Sequence, residues 1–387
     1  MILKAYKYKL KPTQTQIKQF EHILGACRFV YNLSLETKIH VWNAYQVSLS
    51  KYDLIKQLPE LKSEEWIKEV PSQTLQAVVE RMDRSFQRFF RGGGYPKWAK
   101  KHKYNSFMFK QGVCNTGNQI KLPKIGYIRF YKSCPIEGTI KQTVITKEYN
   151  GWYISVSCET KPKIHLISNE NQVGIDVGVA RFYTLSDGIY QNNPKFFYQL
   201  KKCLAHEQQI LAKKQRRSNN WYKQLKVVQR IYTKITRERK DFQHQQSTRL
   251  VREYGSIVVE DLKLKNMSKS AKGTLENPGK NVKAKSGLNR SLLDAAHGQF
   301  FHMLEYKCKW YDRDFQKVDA KYTSQTCPYC EHVSKKNRKS QSEFECQVCK
   351  YTGHADHIGA VNILGRAVPI VLERGVKRCV GQESLVP

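Results

Sequence analysis

The feature that most constrains the fold of this chain is a set of four cysteines in two close pairs. Fifteen residues separate Cys327-Pro-Tyr-Cys330 from Cys346-Gln-Val-Cys349, which is the spacing of a zinc ribbon with two knuckles around one tetrahedral thiolate site. The stretch between the pairs is rich in Lys, Ser and Asn and poor in apolar residues, so a bound metal must supply the stability that a core cannot. The sequence therefore predicts one structural zinc bound by Cys327, Cys330, Cys346 and Cys349.

Disulfide bonds are the alternative for these four cysteines. The other cysteines show no pairing pattern, as expected of reduced thiols in the cytoplasm: Cys27, Cys114, Cys134, Cys158, Cys203, Cys308 and Cys379. The first ten residues alternate charged and apolar side chains and lack the apolar run of a signal peptide, and the chain contains no membrane segment. We therefore expect a cytoplasmic protein in which the four cysteines bind metal.

Three acidic residues, far apart in the chain, each stand where a metal-binding carboxylate is expected. Asp176 and Glu260 interrupt or end the β-branched runs at 173–177 and 257–260, which predict buried strands. A buried, unpaired carboxylate is costly unless a cation or hydrogen-bond donors neutralise it. Asp356 opens a segment with apolar residues at helical spacing, so it is predicted in a first turn, where the helix dipole favours negative charge. Two strands and a helix can converge at one point, and the three acids together indicate a nuclease.

Polar residues near these acids are assigned structural roles. Asp261 directly follows Glu260 and would point to the opposite face of a continuing strand. Asp187 is predicted to form a turn. His354 and His357 flank the third acid; we expect them to face solvent or cap the helix, with assistance to substrate binding as the alternative.

Composition indicates nucleic acid as the partner. The chain has 67 Lys and Arg against 33 Asp and Glu, a net charge of +34, which exceeds what solubility requires. Residues 201–250 contain 14 Lys or Arg and 3 Asp or Glu on a segment that predicts one long helix. A solvated helix face is the alternative for that helix alone, but the rest of the chain is basic too. We therefore expect salt-dependent binding to a phosphate backbone.

Patterning along the chain predicts several regions in a fixed order. Residues 1–15 predict a strand, and residues 16–92 predict mostly helices. Arg and Phe residues are clustered at 81–91; we interpret part of this cluster as core and part as a phosphate contact. Gly92-Gly-Gly-Tyr-Pro96 ends this helical region, and alternating runs from 107 to about 160 predict a small β-barrel that includes the first strand. The remaining predicted elements are a linker (161–170), a strand, a hairpin, the long basic helix, a second strand, a loop (263–290), a helix (292–310), a strand (315–320), the cysteine segment and the last helix.

This order, with acids on the first strand, after the fourth strand and on a late helix, resembles an RNase H-like fold. Specific motifs resemble the TnpB family of RNA-guided nucleases, which are encoded by bacterial insertion sequences and related to the type V CRISPR effectors. Besides the cysteine ribbon, the matching motifs within residues 1–366 are Gly25-Ala-Cys-Arg28-Phe-Val-Tyr31-Asn32, Tyr95-Pro-Lys-Trp98, Ser106-Phe107, Lys121-Leu-Pro-Lys124, Gly174-Ile-Asp176-Val-Gly178, Val259-Glu260-Asp-Leu262, Leu304-Glu-Tyr-Lys307 and Thr323-Ser-Gln-Thr-Cys327.

The resemblance implies that Asp176, Glu260 and Asp356 are the three RuvC-type catalytic acids. Their oxygen ligands would suit two catalytic Mg²⁺ ions, which activate a water and stabilise the leaving oxygen of a phosphodiester. The chain departs from the family at two positions after the third acid, where Ile358 replaces an amide and Gly359 an alanine. Loss of the amide would weaken the hydrogen-bonded support of the metals, so the identity of the site does not by itself fix the cleavage rate.

The resemblance also implies a multidomain α+β architecture. Its expected parts are a β-barrel wedge domain (1–15 and 104–168), a helical recognition domain (16–103), an RNase H-like (RuvC) nuclease domain (169–318 and 354–368), an inserted zinc ribbon (319–353) and a C-terminal tail (369–387).

The implied function is an RNA-guided DNA endonuclease in the bacterial cytoplasm, associated with the nucleoid. It would use a guide RNA from the transposon end, recognise a short motif beside its double-stranded DNA target and cut both strands with one RuvC site. One alternative is a nuclease-dead, RNA-guided repressor, against which the three retained acids argue. The other is a transposase with an acidic triad that needs no RNA, and the nucleic acid that co-purifies would distinguish it.

Overall fold

The computed structural model describes residues 1–161 and 171–367, and the backbone of Ile370–Glu373 and Val376–Cys379. Residues 162–170 lie outside the described part, and with them most of the predicted linker and the predicted boundary between the wedge and nuclease domains. The chain divides into two compact units, Met1–Lys161 and the residues that follow. No helix in the described part is long and apolar enough to cross a membrane.

The first unit combines a long N-terminal helix, a shorter helical region and an antiparallel sheet. Its elements, in chain order, are β1 (Ile2–Lys11), α1 (Gln14–Tyr45), α2 (Lys51–Lys56), α3 (Leu58–Leu61), α4 (Glu65–Lys68), α5 (Ser72–Phe90), β2 (Ser106–Phe109), β3 (Cys114–Asn115), β4 (Gln119–Leu122), β5 (Gly126–Phe130), β6 (Thr139–Glu148) and β7 (Gly151–Thr160). Thr13 and Gln16 form a capping box at the start of α1, which satisfies backbone N–H groups that have no partner within the helix.

The sheet of the first unit has seven strands in the order β2-β6-β7-β1-β5-β4-β3. The long strand β1 pairs with β7 through residues 2–9 and with β5 through residues 10–11. Strands β2 and β3 stand at the two ends and do not pair with each other, so within residues 1–161 the sheet is open. The closed barrel predicted from the sequence is therefore wrong. A physical reason is the shortness of β3, whose two exposed residues offer too little ladder to close the sheet.

Helices and sheet of the first unit share one hydrophobic core. The ring of Phe20 on α1 lies 4.8 Å from that of Trp152 on β7 and 5.8 Å from that of Phe107 on β2. All three side chains are buried. Helix α5 packs against α1 and β2 around the same core, so its C-terminal end is presented from a fixed scaffold.

The second unit carries a mixed sheet and the cysteine insert. Its elements are β8 (Gln172–Val177), β9 (Arg181–Leu185), β10 (Tyr190–Asn192), α6 (Phe196–Lys213), α7 (Asn219–Glu253), β11 (Ser256–Glu260), α8 (Leu264–Met267), α9 (Val282–Ala295), α10 (His297–Tyr311), β12 (Asp314–Val318), β13 (Glu343–Glu345), β14 (Thr352–His354), α11 (Ala355–Ala367), β15 (Ile370–Glu373) and β16 (Val376–Cys379). Strands β15 and β16 pair antiparallel in the region predicted as a tail.

Five strands of this unit form a sheet in the order β10-β9-β8-β11-β12. Strands β8, β9 and β10 pair antiparallel, whereas β8, β11 and β12 are parallel. Helix α11 packs against β8, β9, β11 and β12. The parallel strands β8 and β11 therefore end at the same edge, beside α11.

Two predicted helices of this unit are each broken in the structure. The long basic helix is two helices, α6 and α7, which fold back on each other so that Gln224 donates to the carbonyl of Glu207 across 3.2 Å. Ser218 caps α7 by accepting from the Trp221 N–H, a signal hidden in a basic, polar stretch. The helix predicted over 292–310 begins earlier, at α9, and breaks at Ala296, which has a left-handed φ of 52°. Part of the loop predicted over 263–290 is therefore helical.

Candidate active site

The three predicted acids stand on three neighbouring elements of the second unit. Asp176 is the fifth residue of β8, Glu260 is the last residue of β11 and Asp356 is the second residue of α11. In the parallel pairing Ile175 lies opposite Val259, so the residues that follow them, Asp176 and Glu260, stand at the same edge of the sheet. The first turn of α11 brings Asp356 to this edge.

The carboxylates are close enough to affect one another's protonation. Burial raises the pKa of Asp176 well above its usual range, and the negative charges of Glu260 and Asp356 raise it further. Burial also raises the pKa of Glu260. Among the described residues, the four thiols described below converge tightly enough to hold a metal ion as they stand, and the three carboxylates do not. Such a group of partly buried acids is suited to a hard divalent cation, which would offset the repulsion between them.

A hydroxyl and an amide hold Glu260 in place. Thr323 Oγ1 donates a hydrogen bond to Glu260 Oε1, and this bond opposes the burial-driven rise in the pKa of Glu260. Asn362 Nδ2 on α11 donates to the carbonyl oxygens of Thr323 and Thr326, each across 2.8 Å. Helix α11 therefore fixes the backbone of the residue whose hydroxyl orients Glu260.

Two arginines bring positive charge to the carboxylates. Arg338 Nη2, in the cysteine insert, lies 3.4 Å from Asp356 Oδ1. Arg366 on α11 donates to the backbone carbonyls of Asp319 and Lys321. Both guanidinium groups lower the pKa of Glu260 against the effect of burial, so they partly compensate for the clustered negative charge.

Two glycines allow α11 to lie directly on β8. A Cβ atom added to Gly174 would stand 2.2 Å from the carbonyl oxygen of Ala360 and 2.7 Å from the backbone nitrogen of Leu364. A Cβ atom on Gly359 would stand 3.0 Å from Asp176 Oδ2. Close contact of strand and helix is therefore part of how Asp176 and Asp356 are brought together.

The four cysteines of the insert form one cluster. Cys327 Sγ lies 3.5 Å from Cys349 Sγ, Cys330 Sγ lies 3.5 Å from Cys346 Sγ, and all four sulfurs lie within 4.8 Å of one another. Burial raises the pKa of Cys327 to about 12. Burial also acts to raise the pKa of Cys346, but backbone N–H groups outweigh it and bring the value down to about 7. A buried thiolate needs a cation to stabilise it, and four convergent sulfurs fit one tetrahedral metal site.

The insert also has a small apolar core, which the sequence did not predict. Buried Phe344 of β13 packs with the cysteines, and Ala355 and Ile358 of α11 complete the cluster. Ile358, which stands where the resembling family has an amide, is thus used to join α11 to the insert. Because α11 also carries Asp356, the insert and the carboxylates share one helix.

The acids assigned structural roles are placed as follows. Asp261 is exposed, and its N–H donates to the Val318 carbonyl across 2.8 Å. Asp187 stands in the turn between β9 and β10, where Oδ1 accepts from the Ile189 N–H at 3.0 Å and Oδ2 accepts from the Tyr254 hydroxyl at 2.5 Å. Asp187 therefore also ties its turn to the end of α7.

The two histidines beside the third acid differ in their contacts. His354 Nδ1 accepts from the N–H of Asp356 at 3.3 Å, which is a helix-capping contact. His357 Nδ1 lies 3.3 Å from the carbonyl oxygen of Leu185 on β9 and is partly buried. His354 thus acts at the start of α11, whereas His357 contacts the neighbouring strand and does not face open solvent.

Three residues support the carboxylates or compensate their charge in ways that the sequence did not predict. Thr323 opens one of the family-like motifs and Asn362 follows Asp356 in the last helix, but neither side chain carries a charge or a metal-ligand pattern that would reveal a role. Arg338 lies among many basic residues of the insert, and no spacing rule relates it to Asp356. Only the pairing of the insert with α11 reveals its partner.

Three family models match parts of the chain. One described as "Probable transposase" matches residues 155–271, one described as "Cas12f1-like, TNB domain" matches 297–363, and one described as "Helix-turn-helix domain" matches 1–46. Within residues 1–46 the structure has strand β1 and the single helix α1, so the name of the third model does not describe the fold of this segment.

Full-length comparisons identify the family. A protein of Escherichia coli (strain K12) named "Putative RNA-guided DNA endonuclease InsQ" is 38% identical over 95% of this chain and 93% of its own length. A "Putative RNA-guided DNA endonuclease" of Streptomyces pristinaespiralis is 31% identical over 94% of this chain and 89% of its own. The "CRISPR-associated endodeoxyribonuclease Cas12f1" of Sulfoacidibacillus thermotolerans is 23% identical over 59% of this chain and 53% of its own. On the strength of the similarity to InsQ across nearly the whole of both proteins, the chain belongs to the TnpB family.

Proposed function

We propose that this protein is an RNA-guided DNA endonuclease that hydrolyses phosphodiesters at Asp176, Glu260 and Asp356. The observation that carries the proposal is the convergence of three acids from β8, β11 and α11, close enough that two of them raise the pKa of the third. Clustered, partly buried carboxylates lower the stability of a protein, so their presence indicates a functional site. The two full-length relatives named as RNA-guided DNA endonucleases support the same activity.

The proposed nuclease domain is RNase H-like, of the RuvC type, over residues 169–318 and 354–368. Support comes from the sheet order β10-β9-β8-β11-β12, with antiparallel pairing on one side of β8 and parallel pairing on the other. That arrangement has the acids on its first and fourth strands and on a late helix, as the family resemblance implies.

Asp176, Glu260 and Asp356 are the residues that would hold Mg²⁺ in this proposal. Two such ions supply an activated water and stabilise charge on the leaving oxygen. Thr323 holds Glu260 through its hydroxyl, and Asn362 holds Thr323 through its carbonyl. These two residues keep the carboxylate oriented without occupying its second oxygen.

The cysteine insert at 319–353 is proposed to bind one zinc with a structural role. The four convergent sulfurs would hold the ion and leave no ligand position for a substrate. The metal would hold the insert together, and the insert in turn carries Arg338 to the carboxylates.

The proposed partners are a guide RNA from the transposon end and a double-stranded DNA target. A net charge of +34 suits long contacts with phosphate backbones. The helices at 16–103 would form the recognition domain and the open sheet of 1–15 and 104–168 the wedge. In such a complex base pairing supplies sequence specificity, and the protein contributes shape and backbone contacts.

Replacement of each acid by its amide tests this function. Asp176→Asn, Glu260→Gln and Asp356→Asn should each abolish Mg²⁺-dependent cleavage of a plasmid with a guide-matched site, while RNA and target binding persist. Asp261→Asn is the matched control, because Asp261 is exposed, and it should stay active. Cleavage by Glu260→Gln, or loss of cleavage in folded Asp261→Asn, would show that the carboxylates are wrongly assigned.

Sequencing of the co-purified nucleic acid tests the guided part. A defined RNA whose end varies with the flanking genome is expected. A chain that binds transposon ends without RNA would instead be a transposase, and target binding without cleavage by the unaltered protein would identify a repressor.

A further inference from the structure

The end of helix α5 exposes an aromatic cluster surrounded by positive charge. Phe90 is 72% exposed, and Tyr95 and Trp98 are each 50% exposed. Single exposed rings are common on protein surfaces, whereas exposed rings that lie together mark interaction sites. Between Arg84 and Lys103 the chain has seven basic residues and no acidic one.

Neighbouring rings and the core hold Phe90 and Tyr95 in place. Phe89 lies 5.5 Å from Phe90 and 5.1 Å from Tyr95 between ring centroids. Phe86, which is buried, lies 6.4 Å from Phe90 and 5.9 Å from Tyr95. The exposed rings therefore rest on a ring anchored in the core. Because these side chains are already ordered, they lose little conformational entropy when a ligand binds.

A glycine turn brings Tyr95 back onto the helix. Gly92 adopts a left-handed φ of 83°, and the N–H of Gly93 donates to the carbonyl of Arg88 across 2.9 Å, which is a glycine cap of the helix. A Cβ atom on Gly93 would stand 2.7 Å from that carbonyl oxygen, so the turn requires glycine.

The segment that carries Trp98 is anchored as well. The Asn32 side chain accepts from the N–H of Ala99 at 2.8 Å and donates to the Ala99 carbonyl at 3.3 Å. Pro96 is buried. Trp98 is thus presented by a short segment fixed on both sides.

The basic residues of this region fall into two groups. Arg81 is committed to the fold, because it lies over the Tyr104 ring at 4.8 Å and donates to the Ser106 carbonyl. Arg88 and Arg91 are exposed, and their side chains form no ion pair or hydrogen bond with any residue of the described part of the chain. Free guanidinium groups beside ring faces suit a ligand that has both phosphates and flat bases.

We propose that Phe90 and Tyr95, with Trp98 three residues farther along the chain, stack on unpaired bases of a single-stranded RNA segment and form one platform, with Arg88 and Arg91 on its phosphates. RNA is the occupant because its loops and ends present unstacked bases, whereas duplex DNA keeps its base faces inside the stack. The inference rests on the proposed function only in taking RNA as a partner, and it assigns the contact to particular rings.

Binding of a plain RNA probe tests the platform in the full-length chain. The probe is a single-stranded RNA of about twelve nucleotides that contains 2-aminopurine, whose fluorescence reports stacking. Phe90→Leu and Trp98→Leu, which keep apolar bulk but remove a flat ring, should each weaken binding about five-fold or more. The matched control is Tyr45→Ala, at the last residue of α1 and 71% exposed, which should bind as the unaltered protein does.

Salt dependence separates stacking from charge. Phe90→Leu should weaken binding by the same factor at all salt concentrations. Arg88→Gln should make the slope of log affinity against log salt shallower by about 1, the change expected for loss of one phosphate contact. Two comparison probes have the same base sequence, one as single-stranded DNA and one as a DNA duplex. Normal RNA binding by both ring variants, or a loss confined to DNA, would overturn the proposal.

Cleavage assays keep this result distinct from the proposed activity. If both ring variants bind RNA normally while the unaltered chain cleaves guided DNA, only the platform is refuted. If the unaltered chain does not cleave but the ring variants lose RNA binding, the platform holds and the nuclease assignment fails.

Discussion

Arg338 in the cysteine insert lies 3.4 Å from Asp356 Oδ1 at the start of helix α11. This guanidinium also lowers the pKa of Asp176 and of Glu260 against the effect of burial. The insert therefore contributes charge to the carboxylates in addition to its own fold. A metal that holds the insert together would in this way act on a centre to which it is not bound.

Loss of Arg338 should matter most when no divalent cation is present. In Arg338→Gln the carboxylates lose a compensating charge, so the unfolding midpoint in chelator should fall, by about 2 °C. Saturating Mg²⁺ should reduce the difference, because bound cations neutralise the same acids. Thermal unfolding with and without Mg²⁺ measures both effects. Lys339→Gln, which removes a surface pair with Glu345, is the control, and an equal response in both variants would contradict the prediction.

Asp176→Asn should stabilise the metal-free protein while it removes cleavage. The pKa of Asp176 is raised in the folded state, so between its unfolded and folded values the folded chain holds more protons, and stability falls as pH rises through that window. At neutral pH this acid therefore costs stability, and the amide, which does not titrate, removes that cost. Chemical denaturation at neutral pH in chelator should give a higher midpoint for Asp176→Asn than for the exposed control Asp261→Asn. A lower midpoint would show that the charge is already compensated.

The residues of the candidate site could be proposed from the sequence where chemistry is strongly tied to residue type. Acids in β-branched runs are costly without a cation, and cysteine pairs at this spacing are typical of a metal site. The structure brings each set together. The supporting residues could not be predicted in the same way. Thr323 reaches Glu260 over 63 positions in sequence, and Arg338 reaches Asp356 from a different element, so only tertiary packing defines these pairs.

The order of the helices and strands could largely be predicted from the sequence, but the positions at which helices are interrupted could not. Apolar spacing continues across Ala296, and the stretch around Ser218 is basic and polar without a strong helix breaker, so neither break is visible in the pattern. The breaks depend on local features: α7 begins at a side-chain cap at Ser218, and α9 ends at a left-handed backbone at Ala296. Closure of the first sheet depended on whether its last strand was long enough to pair, and alternation within single strands carries no such information.

Removal of zinc should unfold the insert before the rest of the chain. Cys346→Ser removes one of four ligands, so the small core around Phe344 loses its support. Because β8 and β11 belong to a separate core, we expect cleavage to fall much more than the global unfolding midpoint. Hydrogen exchange should rise over residues 325–351 and stay low in β8. Cys308→Ser, at a buried cysteine outside the cluster, should instead destabilise the second unit without loss of zinc. Purified protein that contains no zinc would refute the assignment of the site.

Acid should destabilise the second unit through His297. This side chain is 3% exposed with its ring 5.2 Å from that of Phe182, and burial lowers its pKa to about 4. The unfolded chain therefore takes up a proton first as pH falls, so the stabilising contribution is complete above about pH 6.5 and declines between there and pH 4, by at most about 3 kcal/mol.

His297→Gln should flatten this part of the pH profile, because glutamine does not titrate. Denaturant midpoints between pH 4 and pH 7 measure the effect. The control is His302→Gln on the exposed face of the same helix, which should leave the profile unchanged. An identical profile for His297→Gln and the unaltered chain would mean that another group sets the acid response.

Gly174→Ala should disrupt the candidate active site although glycine has no side chain. Its added Cβ would stand 2.2 Å from the Ala360 carbonyl oxygen and 2.7 Å from the Leu364 nitrogen, both of them backbone atoms of α11. Because backbone cannot rotate away as a side chain can, the whole helix must shift from β8 and carry Asp356 with it. We expect cleavage to be lost and the second unit to be destabilised by about 2 kcal/mol or more.

Gly287→Ala is the matched control for Gly174→Ala. Gly287 lies within α9, and a Cβ atom added there meets nothing within 4 Å, so alanine should be neutral or stabilise the helix by up to about 1 kcal/mol. Hydrogen exchange should show faster opening of β8 and α11 in Gly174→Ala and no change at these elements in Gly287→Ala. If Gly174→Ala cleaves normally and keeps α11 protected, close packing of α11 on β8 is not what positions Asp356 beside the other two acids.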